Sequence, residues 1–532
     1  MGNEPSLWIN GRIYTARADV PSVSALAVLN GKIACAGDAD TAARIAGDRA
    51  RIINLDGACL LPGLNDAHLH FLSTGIAAMQ LNAHWKPKDE ILAAVREAAF
   101  RAKPGEWIIG WGWNQEVWDP AEMPTRLELD AVSPDAPVAL TRTCGHMLWV
   151  SSRALDMAGI GKNTPDPFGG EYLRDGDGNP TGVMSDIAMG PIYNIMEPPD
   201  AEKKKKALKL AQSLLFKYGI TSISDAGEET DDLDLIEALF ADGTLKIRVD
   251  AMFKPRSASL NEMLGESKKI FARGPKTGLY GGKLRRAAFK LLADGSLGAR
   301  SAWMLKDYSD QPGQRGRGIF TDEELYALVR EAFIAGFQVS VHAIGDAANR
   351  QVLDAYEKVL KSHPRDDHRL RVEHAAALTS GDIGRFSALG VIPSMQTVHA
   401  ESDREMAHSR LGARCEFTYA WRKLLKTGVK IPNGTDSPVE PADPWRALHS
   451  AVTGAGFHPE ERMTREEALM SYTAWPAYAQ FEENVKGALV PGQAADFTVI
   501  DRDFMTCGED EIRNIRTIET VLAGETVFGR LS

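Results

Sequence analysis

Residues 62–70 read PGLNDAHLH, a run that comes after the apolar strand predicted at residues 59–61 and ends in two histidines separated by one residue. Residues i and i+2 of an extended chain face the same side, so His68 and His70 can point together toward one end of a sheet. Two imidazoles placed in this way can chelate one cation, and Zn²⁺ and similar ions favour imidazole and carboxylate ligands. An HxH pair alone is a weak signal, and its meaning depends on the residues at the ends of the other strands.

Polar residues come after four further predicted strands in the same manner. Because the chemistry of a parallel barrel lies at the carboxyl ends of its strands, residues at these ends are candidate ligands. They include His342, His374 and Asp436, the last of which comes after the final strand and would close the ring beside the first. Together with the HxH pair, this order of residues predicts a metal centre. The four segments are residues 289–296 (FKLLADGS), 341–346 (VHAIGD), 371–375 (RVEHA) and 432–437 (PNGTDS).

The middle of the chain alternates apolar strand candidates with helical patterns. Eight strands with mostly helical connections are typical of a (β/α)8 TIM barrel, which is an α/β fold. A doubly wound open sheet is the alternative. The predicted strands are residues 59–61, 221–224, 247–252, 287–292, 338–341, 369–373, 391–394 and 429–432, and the clearest helices are residues 201–218, 322–335 and 349–361.

The two ends of the chain share a different sequence pattern, which predicts short strands separated by turns. Asn10-Gly11, Asn30-Gly31 and Asp56-Gly57 are dipeptides that favour hairpin turns. Strand-rich ends on both sides of a larger middle predict one composite β-sandwich, built from residues 1–60 and 485–532. Residues 61–484 would then form the barrel domain.

A long gap interrupts the barrel pattern after its first strand. Residues 72–200 carry six of the chain's 11 tryptophans and are predicted to be an insertion that covers the mouth of the barrel. The tryptophans suggest an apolar or aromatic group in a substrate, and Trp113 is a candidate substrate contact. The alternative is that these tryptophans fill the insertion's own core.

Composition excludes several classes of protein. The 532 residues include 72 acidic and 61 basic side chains, for a net charge of −11. An acidic chain argues against nucleic acids and anionic membranes as partners. Five scattered cysteines without a CxxC motif predict reduced thiols in a cytoplasmic protein rather than a disulfide framework or a thiolate zinc site.

In combination, these segments resemble the amidohydrolase superfamily of metal-dependent hydrolases. The amino-acid sequences of the segments are similar to those of its amidohydrolase-3 branch, the YtcJ-like and N-substituted formamide deformylase-like proteins. Further similarity lies in Gly145-His146, in Lys486-Gly487 and in residues 491–497 (PGQAADF). The resemblance spans nearly the whole chain and implies a (β/α)8 barrel with a composite β-sandwich.

The resemblance also implies a ligand set for one or two divalent metal ions. His68 and His70 would bind the more buried metal, and His342 and His374 would bind the second. Asp436 would bind the first metal and act as the proton shuttle. Zinc is the expected metal, and manganese, iron and cobalt tolerate similar ligands.

Lys290 matches a strand-four lysine that reacts with CO2 in many relatives to give a carbamate bridging both metals. A buried lysine loses its proton more easily, which favours this modification. A salt bridge of Lys290 with Asp294 or Asp346 is the alternative.

Four residues are candidate substrate contacts, each weighed against a purely structural role. His146 and His399 match family positions near the pocket, and Gln396 lies at the end of the seventh strand. Trp113 belongs to the insertion.

The function implied by the resemblance is hydrolysis of an amide-type C–N bond in a small molecule, such as an N-substituted formamide or an N-acyl compound, by a metal-activated hydroxide. Hydrolytic deamination, or hydrolysis of a carbamate or ester, is an alternative on the same scaffold. A third hypothesis is a catalytically silent binding protein. The sequence is also compatible with a homo-oligomer.

Overall fold

The computed structural model describes residues 4–103, 105–167, 170–255, 260–529 and 531. The chain forms two compact units. The first comprises Met1–Phe71, Gln212–Asp436 and Ala442–Ser532, and it holds a terminal sheet and a barrel. The second comprises Leu72–Ala211 and Ser437–Pro441.

Both ends of the chain contribute strands to one sheet of the first unit. Ser6–Tyr14 is antiparallel to Ser22–Leu29 and parallel to Cys59–Pro62. The core of this sheet forms around Trp8 and Phe497, whose rings meet edge to face with centroids 4.9 Å apart. The strands in spatial order are Glu525–Gly529, Thr517–Leu522, Phe497–Ile500, Cys59–Pro62, Ser6–Tyr14, Ser22–Leu29 and Lys32–Gly37, with Arg51–Asn54 beside Ser6–Tyr14.

Of the three predicted turns in this sheet, only Asn30-Gly31 closes a hairpin. Both of its residues have positive φ angles, as a two-residue hairpin turn requires. Asn10-Gly11 instead lies inside one strand, at an irregularity in the register. A Cβ on Gly11 would lie 2.5 Å from the carbonyl oxygen of Ala58, so the close approach of the backbone requires glycine. Asp56-Gly57 joins two strands that pair with the same neighbour and not with each other.

The prediction that residues 59–61 form the first barrel strand is wrong. Cys59–Pro62 pairs with Ser6–Tyr14 and Phe497–Ile500 in the terminal sheet. The first barrel strand is Leu64–Leu69, which contains His68. An apolar run predicts burial but does not tell which of two sheets buries it.

The predicted (β/α)8 barrel is confirmed, and the alternative of an open doubly wound sheet is wrong. The barrel has seven parallel strands joined largely by helices. The eighth position is taken by residues 432–434, which lie in the gap between the last and first strands. The amide of Met395 donates to the carbonyl oxygen of Pro432, and the amide of Ala67 donates to that of Asn433. The strands in order are Leu64–Leu69, Ile220–Glu228, Arg248–Phe253, Leu284–Leu292, Gln338–Ala343, Arg371–His374 and Ile392–Ser394, and Lys276–Gly278 adds an antiparallel edge.

The three helices predicted from periodicity are present as Ala201–Lys217, Asp322–Ile334 and Asp346–Ser362. A capping box starts Asp322–Ile334, because Thr321 and Glu324 each accept the other's backbone N–H. No helix in the described ranges is long and apolar enough to cross a lipid bilayer. The other α-helices are Ala39–Ala46, Phe71–Ala78, Lys88–Arg101, Arg126–Asp130, Ser152–Met157, Gly190–Ile195, Thr230–Ala241, Leu260–Arg273, Leu279–Gly282, Ser380–Leu389, His399–Ser402, Arg404–Leu411, Trp421–Leu425, Pro444–Thr453, Arg465–Ser471 and Ala474–Ala479.

The second unit is built on a six-stranded sheet. Its core brings together Trp113, Trp118 and Trp149, with ring centroids 6.0–6.3 Å apart. This packing favours the alternative that the tryptophans fill the insertion's own core. The strands in order are Gly170–Arg174, Pro180–Asp186, Met147–Val150, Val138–Arg142, Ile108–Trp113 and Leu81–Asn82.

The segment Ser437–Pro441 belongs to this second unit although it lies far away in sequence. The indole N–H of Trp111 donates to the carbonyl oxygen of Pro438 at 2.7 Å, and Nε2 of His84 lies 2.9 Å from the same oxygen. The hydroxyl of Thr143 donates to the carbonyl oxygen of Val439. Three side chains of the insertion therefore hold this short segment.

Candidate metal centre

The barrel register brings the predicted ligands together at the carboxyl ends of the strands. His342 pairs with Leu292 on one side and with Glu373 on the other, and His374 pairs with Ala343. The ring of His374 lies 4.5 Å from that of His342 and 4.8 Å from that of His68, measured between centroids. Three histidines from three strands therefore share one small volume.

Asp436 lies against the first strand. Its amide donates to the carbonyl oxygen of His68 at 2.6 Å. Its Oδ1 lies 3.3 Å from Nε2 of His70 and 3.5 Å from Nε2 of His68, while its Oδ2 lies 3.8 Å from Nε2 of His399. The carboxylate thus directs one oxygen to the HxH pair and the other to His399.

The turn that carries Asp436 is held tightly. Asp66 accepts hydrogen bonds from the amide and hydroxyl of Thr435, and burial raises the pKa of Asp66 to about 7. Gly434 permits this approach, since a Cβ there would lie 2.5 Å from the amide nitrogen of His68. Asp436 and His374 both have positive φ angles, of 58° and 73°, a conformation costly for residues other than glycine. Such strain persists only where surrounding contacts enforce it.

Each of three histidines has one ring nitrogen engaged by a neighbour. Nδ1 of His68 lies 2.5 Å from Oε2 of Glu373, and Nδ1 of His374 lies 2.7 Å from Oε1 of Gln396. Nε2 of His342 lies 3.1 Å from the carbonyl oxygen of Gly295. An oxygen acceptor takes the ring N–H and leaves the other nitrogen with a free lone pair, which is the arrangement of metal-binding histidines.

Burial keeps these imidazoles neutral. It lowers the pKa of His68 to about 4 and that of His342 to about 3, and the positive charge of Lys290 adds to both effects. Burial also brings the pKa of His374 well below its usual range. A metal ion binds the neutral form of histidine, so the site is prepared for a cation at neutral pH.

The donor set fits a divalent cation. Nε2 of His68 and Oδ1 of Asp436 are buried, and neither has a hydrogen-bond partner within the described part of the chain. Buried polar atoms are nearly always paired, so unpaired atoms that converge call for a bound group. Two sets of three residues bring one ligand atom each within 4.8 Å of one another: His68 with His70 and Asp436, and His374 with His399 and Asp436.

Lys290 is buried, and its ammonium donates to the carbonyl oxygen of Ala226 at 3.1 Å. Burial lowers the pKa of Lys290 to about 8. The alternative of a salt bridge does not match the contacts of either carboxylate. Asp294 accepts hydrogen bonds from the backbone amides of Trp303, Ile344 and Gly345. Asp346 accepts a hydrogen bond from the backbone amide of Leu305.

Sequence reasoning missed Glu373 and Arg371 as members of the site. Both are fully buried, and the Arg371 guanidinium donates to both oxygens of Glu373. Although burial acts to raise it, the pKa of Glu373 is held well below its usual range by Arg371 and His68. The signal was present, since an arginine and a glutamate two residues apart in an apolar strand must face the same side and pair.

The predicted substrate contacts have varied surroundings. Gln396 is buried against His374, which favours a role in orienting that imidazole. His399 lies beside Asp436. His146 is half-buried in the second unit, where its Nδ1 lies 2.9 Å from Oδ1 of Asp186. Trp113 is fully buried in that unit, and its indole N–H donates to the carbonyl oxygen of Leu140. Substrate contact by these residues stays a prediction.

Comparison with known proteins finds similar proteins over nearly the full length of this chain. The family model described as "Amidohydrolase family" matches residues 51–528. The Bacillus subtilis (strain 168) protein YtcJ, whose name includes the word amidohydrolase, is 31% identical over 98% of this chain and 99% of its own length. The N-substituted formamide deformylase of Arthrobacter pascens is 28% identical over 98% of each chain. The crystal structure of an uncharacterized metal-dependent hydrolase from Pyrococcus furiosus is 30% identical, covers 94% of this chain and 100% of that chain, and superposes with a TM-score of 0.75.

Proposed function

This chain belongs to the amidohydrolase family, and on that premise we propose that it hydrolyses an amide-type C–N bond of a small molecule with the aid of a divalent metal. An N-substituted formamide or an N-acyl compound is the proposed substrate class. The observation that carries the proposal is the convergence of histidine side chains on Asp436, with buried donor atoms left unpaired among the described residues. The likeness to a formamide deformylase over nearly the full length supports the substrate class.

The metal would be held by imidazole and carboxylate groups. The proposed ligands are His68, His70, His342, His374 and Asp436, for one or two ions. We propose zinc, since this donor set suits it, with manganese, iron or cobalt as alternatives. When bound, such an ion polarises a carbonyl oxygen and lowers the pKa of a coordinated water from 15.7 toward about 7.

Asp436 is the proposed proton carrier. One of its oxygens lies beside the HxH pair, and its backbone is anchored to His68 and, through Thr435, to Asp66. The carboxylate would accept a proton from the attacking water and pass it to the leaving nitrogen. A carboxylate fixed in one orientation can do both without a rotation of the main chain.

Lys290 is the proposed site of a carbamate. Only the neutral amine attacks CO2, and a pKa of about 8 gives a larger neutral fraction at neutral pH than an ordinary lysine has. The modification would place a carboxylate-like ligand where the structure has a buried amine. We therefore propose carboxylated Lys290 as part of the centre.

The remaining proposals concern partners and location. An excess of acidic over basic residues, 72 against 61, supports a small-molecule substrate rather than nucleic acid or an anionic membrane. The five cysteines are all free, which is compatible with a cytoplasmic location. Location and homo-oligomer formation stay predictions.

A substrate panel tests the proposed reaction. Zinc-loaded protein is incubated with N-formyl, N-acyl and aryl amides, and with carbamates, esters and ring amines, and the released acid and amine are measured. We expect release of formate or another carboxylate from amides, and loss of that activity after chelation of zinc. Activity confined to esters or ring amines would contradict the proposal, as would no activity on any compound in protein that holds its metal.

A further inference from the structure

His399 occupies a position that a substrate contact alone does not explain. It begins the short helix His399–Ser402, which comes after the seventh barrel strand. Its ring is nearly parallel to that of His374, at 16°, with centroids 6.0 Å apart. Its Nε2 lies 3.8 Å from Oδ2 of Asp436. His399 therefore lies near Oδ2 of the same carboxylate whose Oδ1 lies near the HxH pair.

Three polar atoms at this position have no hydrogen-bond partner among the described residues. Nε2 of His399 is buried and has no hydrogen-bond partner within the described ranges, as is also true of Nε2 of His68 and Oδ1 of Asp436. His374 can contribute through Nε2, because Gln396 engages its Nδ1. A buried imidazole nitrogen without a partner is costly, and a cation beside it removes that cost.

The spacing also suits a metal. A tetrahedral ion with bonds of about 2.0–2.2 Å separates its ligand atoms by about 3.4 Å. The three distances from Asp436 oxygens to imidazole nitrogens are 3.3, 3.5 and 3.8 Å. One ligand atom each of His374, His399 and Asp436 lies within 4.8 Å of the others, and the same bound holds for the set formed by His68, His70 and Asp436.

We propose that His399 is a metal ligand, which forms with His374 and Asp436 a three-ligand half-site next to the half-site of the HxH pair. Asp436 links the two, with Oδ1 on the side of His68 and His70 and Oδ2 on the side of His399. The cation is a divalent ion that prefers imidazole, such as Zn²⁺ or Co²⁺. The inference rests on the proposed metal centre but is independent of the proposed substrate.

Metal binding by purified full-length variants tests this ligand role. The variants are His399→Gln, the centre control His68→Gln, and the matched control His408→Gln, whose exposed histidine lies on the next helix. Zinc content after dialysis and zinc affinity against a chelator are measured, together with the melting temperature of each metal-free form. We expect His399→Gln to lose one ion or to weaken zinc binding by roughly tenfold or more, with His408→Gln unchanged.

A thiolate substitution gives a second readout that a structural role would not change. His399→Cys offers a zinc and cobalt ligand at the same position, so it should retain metal and show a thiolate-to-cobalt charge-transfer band that His408→Cys lacks. The inference is overturned if His399→Gln binds metal like the wild type and His399→Cys shows no such band, while His68→Gln loses metal. Wild-type protein that binds no divalent ion would overturn the proposed function as well, so the two failures can be told apart.

Discussion

Oε2 of Glu373 lies 2.5 Å from Nδ1 of His68, although 305 residues separate the two in sequence. The pair lies inside the barrel, where both side chains are fully buried, and Arg371 holds Glu373 from the other side. This contact turns Nε2 of His68 toward Asp436. The orientation of a proposed metal ligand is therefore set by a residue that does not itself face the cation.

We expect Glu373→Gln to lower zinc affinity by roughly 10–100-fold, because the amide holds the His68 N–H less strongly than a carboxylate does. Affinity is measured by competition with a chelator. The matched control is Asp496→Asn, which removes a charge from another buried ion pair, that with Arg248. Both variants should lose stability. An equal loss of zinc affinity in the two would show that Glu373 has no specific effect on His68.

Asp436→Asn should lower kcat by roughly 10²–10⁴-fold at saturating zinc, since the amide cannot accept a proton. The side chain keeps one oxygen, which can still bind zinc in one of the two half-sites, so part of the zinc affinity should remain. The rate is measured on the best amide of the substrate panel, with zinc content determined in the same samples. A rate near that of the wild type would remove Asp436 from the proton transfer.

Lys290→Ala should abolish turnover and lower zinc content, because it removes both the amine and its proposed carbamate. If a carbamate is the missing ligand, acetate or propionate added at high concentration should restore part of the activity. The control is Lys254→Ala, which alters an exposed lysine after the third strand. Full activity of Lys290→Ala, or equal losses in both variants, would contradict the assignment.

Thiol labelling tests the packing around the five free cysteines. Cys35, Cys59 and Cys415 are buried, and burial raises the pKa of Cys415 to about 11, so these thiols should react slowly at neutral pH. Cys144 and Cys507 are only half-buried and should react first. Two fast thiols in the native protein and five after denaturation, counted with a chromogenic disulfide reagent, are the expected result. Fewer than five after denaturation would indicate a disulfide and contradict the prediction of reduced thiols.

The strand-end pattern in the sequence was enough to predict that His68, His374 and Asp436 meet. In a parallel barrel, residues at the carboxyl ends of strands converge whatever their separation along the chain. The same logic predicted the barrel itself. It could not assign residues 59–61 to the correct sheet, because both sheets bury an apolar run of that length.

The hydrogen-bond partners of the proposed ligands could not be predicted from the sequence for a different reason. Which nitrogen of His374 is free depends on Gln396, and that contact is a matter of side-chain rotamers rather than of periodicity. The closure of the barrel by residues 432–434, through two backbone hydrogen bonds, likewise leaves no periodic signature. Patterns of polarity along the sequence predict helices and strands, whereas the hydrogen-bond partners of individual polar atoms are known only from the three-dimensional structure.

Residues 437–441 are held by polar contacts from the side chains of Trp111, His84 and Thr143. These contacts matter for the design of chimeras in which a segment of this protein is replaced by that of a relative. The segment starts one peptide bond after Asp436, so the second unit joins the rest of the chain between the first two barrel strands and again just after residues 432–434, which take the eighth barrel position. A chimera that takes only residues 72–211 from a relative would leave the recipient's 437–441 segment without its own partners. A chimera should therefore take residues 72–211 and residues 437–441 from the same protein.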